Sequence, residues 1–162
     1  MDLSDLADRA DGDGIRGRRT FVVGAEHATN VFGEQADPPG LPAAADAAPG
    51  ESVRVLGSPD LLATCEFVAR QSLRGHLPDG TGTVGESADL AHRRAAPVGS
   101  EVLAETVLEG VDAPRIELRG RVARTDREGV APDDPGAVVG TVGMTFRVVD
   151  RDRFREAVGP DA

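Results

Sequence analysis

Along the chain, the spacing of hydrophobic positions changes once, from a helical to a strand-like period. Leu61, Leu62, Cys65, Val68, Ala69, Ser72 and Leu73 recur at three- and four-residue steps and form one arc of a helical wheel, with Arg70, Gln71 and Arg74 opposite. Ser58 suits the N-cap, Pro59 the first helical position and Asp60 the positive end of the helix dipole. The helix is expected to run to about Arg74 and to stop at Gly75. After a turn at Gly80-Thr81-Gly82 the period falls to two. Val102, Ala104, Thr106 and Leu108 alternate with Leu103, Glu105, Val107 and Glu109, and Ile116, Leu118, Gly120 and Val122 alternate with Glu117, Arg119 and Arg121. Strands are expected over about 83–93, 100–110, 114–126 and 136–149, joined by short turns that would make consecutive pairs antiparallel hairpins. Arg19 to Val23 is a short strand candidate, and Arg151 to Val158 is expected to form one or two helical turns.

One long helix followed by a run of long strands predicts an α+β domain in which the helix packs on a curved antiparallel sheet. The hotdog fold has that element order. The expected organisation is one domain over 18–158, a polar and flexible N-terminal arm over 1–17, and a loop at 33–50 rich in Pro and Ala. At 162 residues the chain accommodates one ordinary domain and can bury roughly two-thirds of its unfolded surface.

Composition narrows the partners. The formal net charge is -10, and all 18 basic residues are arginine. A field of that sign repels phosphate backbones, so nucleic acid is not an expected partner. Acidity without lysine also matches proteins that stay soluble in concentrated salt, which suggests a halophilic habitat. Five Phe and no Tyr or Trp leave a core of Val, Leu, Ala and Ile and no aromatic platform for bases. The lone Cys65 excludes an intramolecular disulfide and fits a reducing, cytoplasmic setting. The acidic N-terminus is unlike a secretory signal, and no stretch of about 18 apolar residues spans a membrane.

Among the candidate chemical groups, Glu66 is the most informative. It lies on the ridge Leu62–Glu66–Ala69–Leu73, where a carboxylate among apolar neighbours is costly unless it is paired or used. It is a candidate general base or nucleophile; the alternative is an edge glutamate that reaches solvent or pairs with an arginine. His92 ends a strand and is either structural or catalytic, whereas His27 and His76 have only the structural reading in their favour, His76 facing water beyond Gly75. Cys65 reads as a small buried hydrophobe rather than a nucleophile. The two GxGxxG matches, at Gly12 and at Gly80, lack the strand–turn–helix order of a dinucleotide site. Asp11 and Asp13 lack the glutamate that a calcium loop requires. No metal is expected.

With Ser58, Glu66, Gly85 and His92 in view, the chain resembles the fluoroacetyl-CoA thioesterase family of hotdog proteins from about Arg18 to Phe154. The carriers are a hydroxyl residue followed by a glutamate eight positions later (Ser58 and Glu66) and a glycine followed by a histidine seven positions later (Gly85 and His92). Serine stands where the family usually has threonine. The segment Gly140 to Arg147 matches more loosely, with Phe146 or Arg147 at the position of a family arginine. The resemblance implies an acyl-CoA substrate, a homodimer or higher even oligomer and no cofactor beyond the coenzyme A of the substrate. It implies that Glu66 activates water or attacks the thioester, His92 carries a proton, Ser58 holds the geometry, and Gly85 offers a backbone N–H to the oxyanion, with Arg147 in substrate binding. The family's aromatic lid has no counterpart in Glu51 to Leu56, so a short or medium acyl-CoA is expected in place of fluoroacetyl-CoA. The competing readings are a non-catalytic acyl-CoA-binding module and a hotdog hydratase.

Overall fold

The computed structural model describes residues 2–12, 14–31 and 53–159. The elements in chain order are α1 (Ser4–Asp11), β1 (Arg16–Val22), a 3-10 turn (Ala25–His27), β2 (Ala28–Asn30), β3 (Arg54–Leu56), α2 (Ser58–Ser72), β4 (Thr81–His92), β5 (Glu101–Asp112), β6 (Arg115–Arg124), β7 (Val138–Asp150) and α3 (Arg151–Val158). Five long strands form one antiparallel sheet in the order β1-β5-β6-β7-β4, and β2 and β3 form a separate small hairpin. The expected long strands all occur within a few residues of their predicted bounds. The expected loop at 33–50 lies outside the described residues.

Helix α2 packs on one face of this sheet through the arc that periodicity predicts: Leu61, Cys65, Val68, Ala69 and Leu73 are buried, and Leu62 packs against them. The sheet answers with Val102, Ala104 and Leu108 of β5, Ile116, Leu118 and Val122 of β6, and Val142, Met144, Phe146 and Val148 of β7. Each fully buried leucine or phenylalanine contributes about 1.5–3 kcal/mol by its removal from water. The helix sits close to the backbone because glycines lie beneath it. A Cβ on Gly120 would stand 2.8 Å from Cys65 Cβ and Sγ, one on Gly140 2.7 Å from Leu61 Cδ1, and one on Gly17 2.8 Å from Val68 Cγ1. Burial pushes the Cys65 thiol up to about 12.

Two local features go beyond the expected elements. Within the arm expected over 1–17, residues 4–11 form α1, with Leu3 and Leu6 buried and Ala10 packed against the core, and β1 begins at Arg16. An eight-residue polar helix is marginal alone, so only the docking surface makes it visible. Consecutive strands are not all hairpins. β5–β6 and β6–β7 are neighbours, but β4 pairs with β7 at the sheet edge and the chain must cross β7 and β6 to reach β5. The connecting segment is held on β3, where Leu56 N–H donates to Ala96 O at 2.8 Å and Val98 N–H to Arg54 O at 3.2 Å, with Ala96 fully buried. This anchorage involves residues far apart in sequence, which alternation along a single strand does not encode.

Two measurements check this packing. In the native protein Cys65 is expected to resist a thiol reagent at pH 8 and to react stoichiometrically once the chain is denatured; rapid labelling of native protein would contradict its burial. Gly120→Ala forces a methyl against Cys65 and is expected to lower stability by about 1–3 kcal/mol in denaturant unfolding.

Candidate active site

Ser58 is the first residue of α2, and Gly57, not Ser58, is the N-cap. The serine side chain is therefore free of capping duty. Its Oγ lies 2.9 Å from Nδ1 of His92, at the far end of β4. Nε2 of the same ring lies 3.1 Å from the carbonyl oxygen of Arg94. A carbonyl only accepts, so that bond needs a proton on Nε2; in the neutral ring Nδ1 is then the acceptor and the Ser58 hydroxyl donates to it. Gly140 stands opposite His92 in the β4–β7 ladder, and a Cβ there would press on Ala91 O at 2.9 Å and on His92 Cα at 3.5 Å. The glycine thus sets the height of the imidazole-bearing backbone. A depression of about 320 Å³ opens over the pair, lined in part by Val31, Val55 and Leu56.

Glu66 lies two turns further along α2, half-buried, with no hydrogen bond or ion pair to the described residues. Its carboxylate hangs over Gly85 of β4, where an added Cβ would be 3.8 Å from Oε1. Immediately after Gly85 the ladder to β7 slips, so Glu86 is an extra residue and β4 bulges. Residues 85–89 are exposed along an edge with no neighbouring strand among the described residues.

Within one chain, then, the fold brings Ser58 to His92 and Glu66 to Gly85, but it does not bring the two pairs together. The helix separates Ser58 from Glu66 by about 12 Å of axial rise, and the seven-residue step from Gly85 to His92 corresponds to about 23 Å of strand. The depression over Ser58 and His92 is not lined by Glu66.

Arg147 stands apart from both pairs. Phe146 takes the inward register, 2% exposed, so Arg147 points to the sheet face away from α2. There Arg147 Nε donates to Glu86 Oε2 at 2.9 Å, and Arg115 Nε donates to Glu86 Oε1 at 2.7 Å. The Arg115 hydrogen bond, with help from Arg147, holds the Glu86 carboxyl below the usual carboxylate range. This placement gives Arg147 an ion-pair partner in Glu86 on the sheet face away from α2. His27 accepts from the Gly24 N–H at 3.0 Å and meets the Phe21 ring edge-on, a structural role. His76 does not simply face water: it is half-buried and lines a crevice beside α1. The carbonyl of Arg94 and Gly140 were not legible as site residues, because both act through backbone that another element positions.

Among the described residues no three His, Cys, Asp or Glu side chains converge as a metal centre would, and no helix is long and apolar enough to cross a membrane.

Comparison with known proteins decides the family. The family described as fluoroacetyl-CoA-specific thioesterase (FlK) matches residues 42–131, more than half of the chain. The chain belongs to that family. It is a thioester hydrolase of the hotdog fold, as the sequence resemblance implies. The fold is shared with a hot-dog-like protein from Thermanaerovibrio acidaminovorans at 18% identity over 98% of this chain and 95% of that one, TM-score 0.69. It is shared also with a thioesterase superfamily member from Thermus thermophilus at 17% identity over 90% and 88%, TM-score 0.65. A mutant of the fluoroacetyl-CoA-specific thioesterase FlK in complex with fluoroacetate and CoA aligns at 20% identity over 88% of this chain and 98% of that one, TM-score 0.62. A search of curated proteins found no match.

The hydrogen-bond pattern of His92 is directly measurable in this thioesterase. Nitrogen-15 NMR of the imidazole at neutral pH is expected to show a protonated Nε2 and an acceptor Nδ1, and Ser58→Ala is expected to shift the Nδ1 signal while costing no more than about 1.5 kcal/mol of stability. The opposite tautomer in the wild type would contradict the arrangement.

Proposed function

We propose that this protein hydrolyses a short or medium acyl-CoA to the free acid and coenzyme A, without a cofactor, at sites completed by a second copy of the chain. The observation that carries the reading is the disposition of β4. Gly85 and His92 both lie on the α2 face of one open edge strand, each beneath a polar side chain of the same helix. An antiparallel pairing of β4 with its copy, centred between Ala88 and Asp89, sets Gly85 opposite His92 of the partner subunit. Strands so paired lie about 5 Å apart, so the carboxylate above Gly85 and the partner's His92 come within reach of one substrate. An exposed twelve-residue edge strand is also a natural template for such pairing.

In this arrangement Glu66 takes a proton from water, and the hydroxide that forms attacks the thioester carbonyl. The backbone N–H at Gly85 faces the developing oxyanion, with no side chain to obstruct the approach. The C–S bond then breaks, and the coenzyme A thiolate leaves and is protonated. The partner's His92, held by its own Ser58, carries that proton. The apolar walls at Val31, Val55 and Leu56 beside the imidazole favour a short or medium acyl group over a polar one.

Subunit mixing tests the reading. Glu66→Gln and His92→Ala homodimers are each expected to lose at least a hundredfold in kcat. Hybrids that pair one variant chain with the other retain one intact site and should recover close to half of the wild-type rate per dimer. Dead hybrids with full dimerisation would exclude a shared site, and full turnover by Glu66→Gln would remove the mechanism. The free-thiol assay should be run at low and high salt, because a chain of net charge -10 loses self-repulsion as salt rises.

A further inference from the structure

A second and larger cleft, of about 760 Å³, lies where α2 ends and β4 begins. Arg70 of α2, Arg74 in the turn just past its end and Arg151 at the start of α3 all line it, against a single acidic residue, Asp79. In a chain of net charge -10 this concentration of cations is a local reversal of sign. The three side chains are exposed and have no ion-pair partner among the described residues, unlike Arg115, Arg119, Arg121, Arg124 and Arg147. Arg151 is held over the strand: a Cβ on Gly82 would meet its Nε at 3.5 Å. Phe67, 60% exposed, adds an apolar wall beside the arginines.

The cleft continues the line of the candidate site. Arg70 follows Glu66 at i+4 on the same helix and Arg74 lies in the turn just past the helix end, so the cations begin one turn beyond the carboxylate and continue away from it. A thioester carried on a long arm that ends in a diphosphate and a 3′-phosphate presents its charges at that kind of remove from its reacting carbon. Guanidinium groups match phosphate oxygens in geometry and charge.

We infer that the cleft formed by Arg70, Arg74 and Arg151 binds the phosphates of the coenzyme A nucleotide, with the purine against Phe67. The inference rests on the acyl-CoA reading above, and it adds the part of the substrate by which the enzyme tells a coenzyme A thioester from a simpler one. Binding energy from this remote, unreacting part serves to position the thioester.

The probe is adenosine 3′,5′-bisphosphate, titrated calorimetrically into the wild type, into the combined Arg70→Gln, Arg74→Gln and Arg151→Gln variant, and into Arg19→Gln as a control of charge at the opposite sheet edge. The combined variant is expected to bind at least tenfold more weakly and the control to bind like the wild type. In turnover, the preference for an acyl-CoA over the matching acyl-pantetheine thioester should fall at least tenfold in the combined variant, with circular dichroism unchanged. Undiminished bisphosphate binding, or an unchanged preference between the two thioesters, overturns the inference while leaving hydrolysis intact. Inorganic phosphate binding as tightly as the bisphosphate also overturns it, by reducing the cleft to a general anion site. Arginine-dependent binding of the bisphosphate in a protein that cleaves no acyl-CoA would uphold the cleft and sink the hydrolytic reading instead.

Discussion

The close approach of α2 to the sheet is the constraint on which the other features depend. Leu61, Cys65 and Val68 descend onto Gly140, Gly120 and Gly17, positions on three different strands where a side chain as small as a methyl group would collide. The glycines weaken their strands locally, since each forgoes packing and carries a larger entropy cost on folding. What they permit is a helix seated low enough that its half-buried polar residues touch β4. Ser58 reaches His92 and Glu66 overhangs Gly85 because the helix axis is fixed at that height and angle. A helix raised by a layer of alanines would still cover the core, but its carboxylate would stand clear of the strand.

The two faces of the sheet divide the labour. The inner face is almost wholly apolar and carries the helix. The outer face of β5 and β6 is laced with cross-strand pairs, with Arg121 opposite Glu105 in register at 3.6 Å and Arg119 Nε 2.7 Å from Glu109 Oε1. At the exit of β6 the Arg124 hydrogen bond holds the Asp126 carboxyl below its ordinary range. Such exposed pairs contribute little to stability individually; their effect is to consume arginines in a chain that has more acids than bases. Against that background Arg70 and Arg74, at and just past the end of α2 and without ion pairs among the described residues, stand out as charge left available, on the side of the molecule where Glu66 and Gly85 lie.

The open edge of β4 is where the proposed second copy of the chain would pair. Its bulge after Gly85 turns Glu86 outward to Arg115 and Arg147 and leaves the inner face of the strand to glycine. The same one-residue slip in the ladder to β7 adjoins the glycine that leaves space beneath Glu66. A carboxylate and an imidazole held at two points of one strand cannot act on one carbonyl, whereas two such strands related by a twofold axis can supply both.

The sequence by itself determined the elements whose signal is local. The arc of α2 and the alternation of β5 and β6 are properties of neighbouring residues, and Ile116, Leu118 and Val122 are buried as their period requires. The spacing of Ser58 to Glu66 and of Gly85 to His92 likewise identified the family, since it repeats a pattern within single elements. Tertiary structure decided everything that needs a second element to define it. The pairing of β4 with β7 joins strands far apart in sequence while the crossing to β5 rests on β3 at 96–98, and α1 exists as a helix because the sheet offers Leu3 and Leu6 somewhere to go. Ser58, suited by type to cap a helix, turns to His92 because Gly57 already occupies the cap. Arg147 turns to Glu86 because Phe146 takes the inward register. Periodicity states which face a residue occupies; only the fold states what waits on that face.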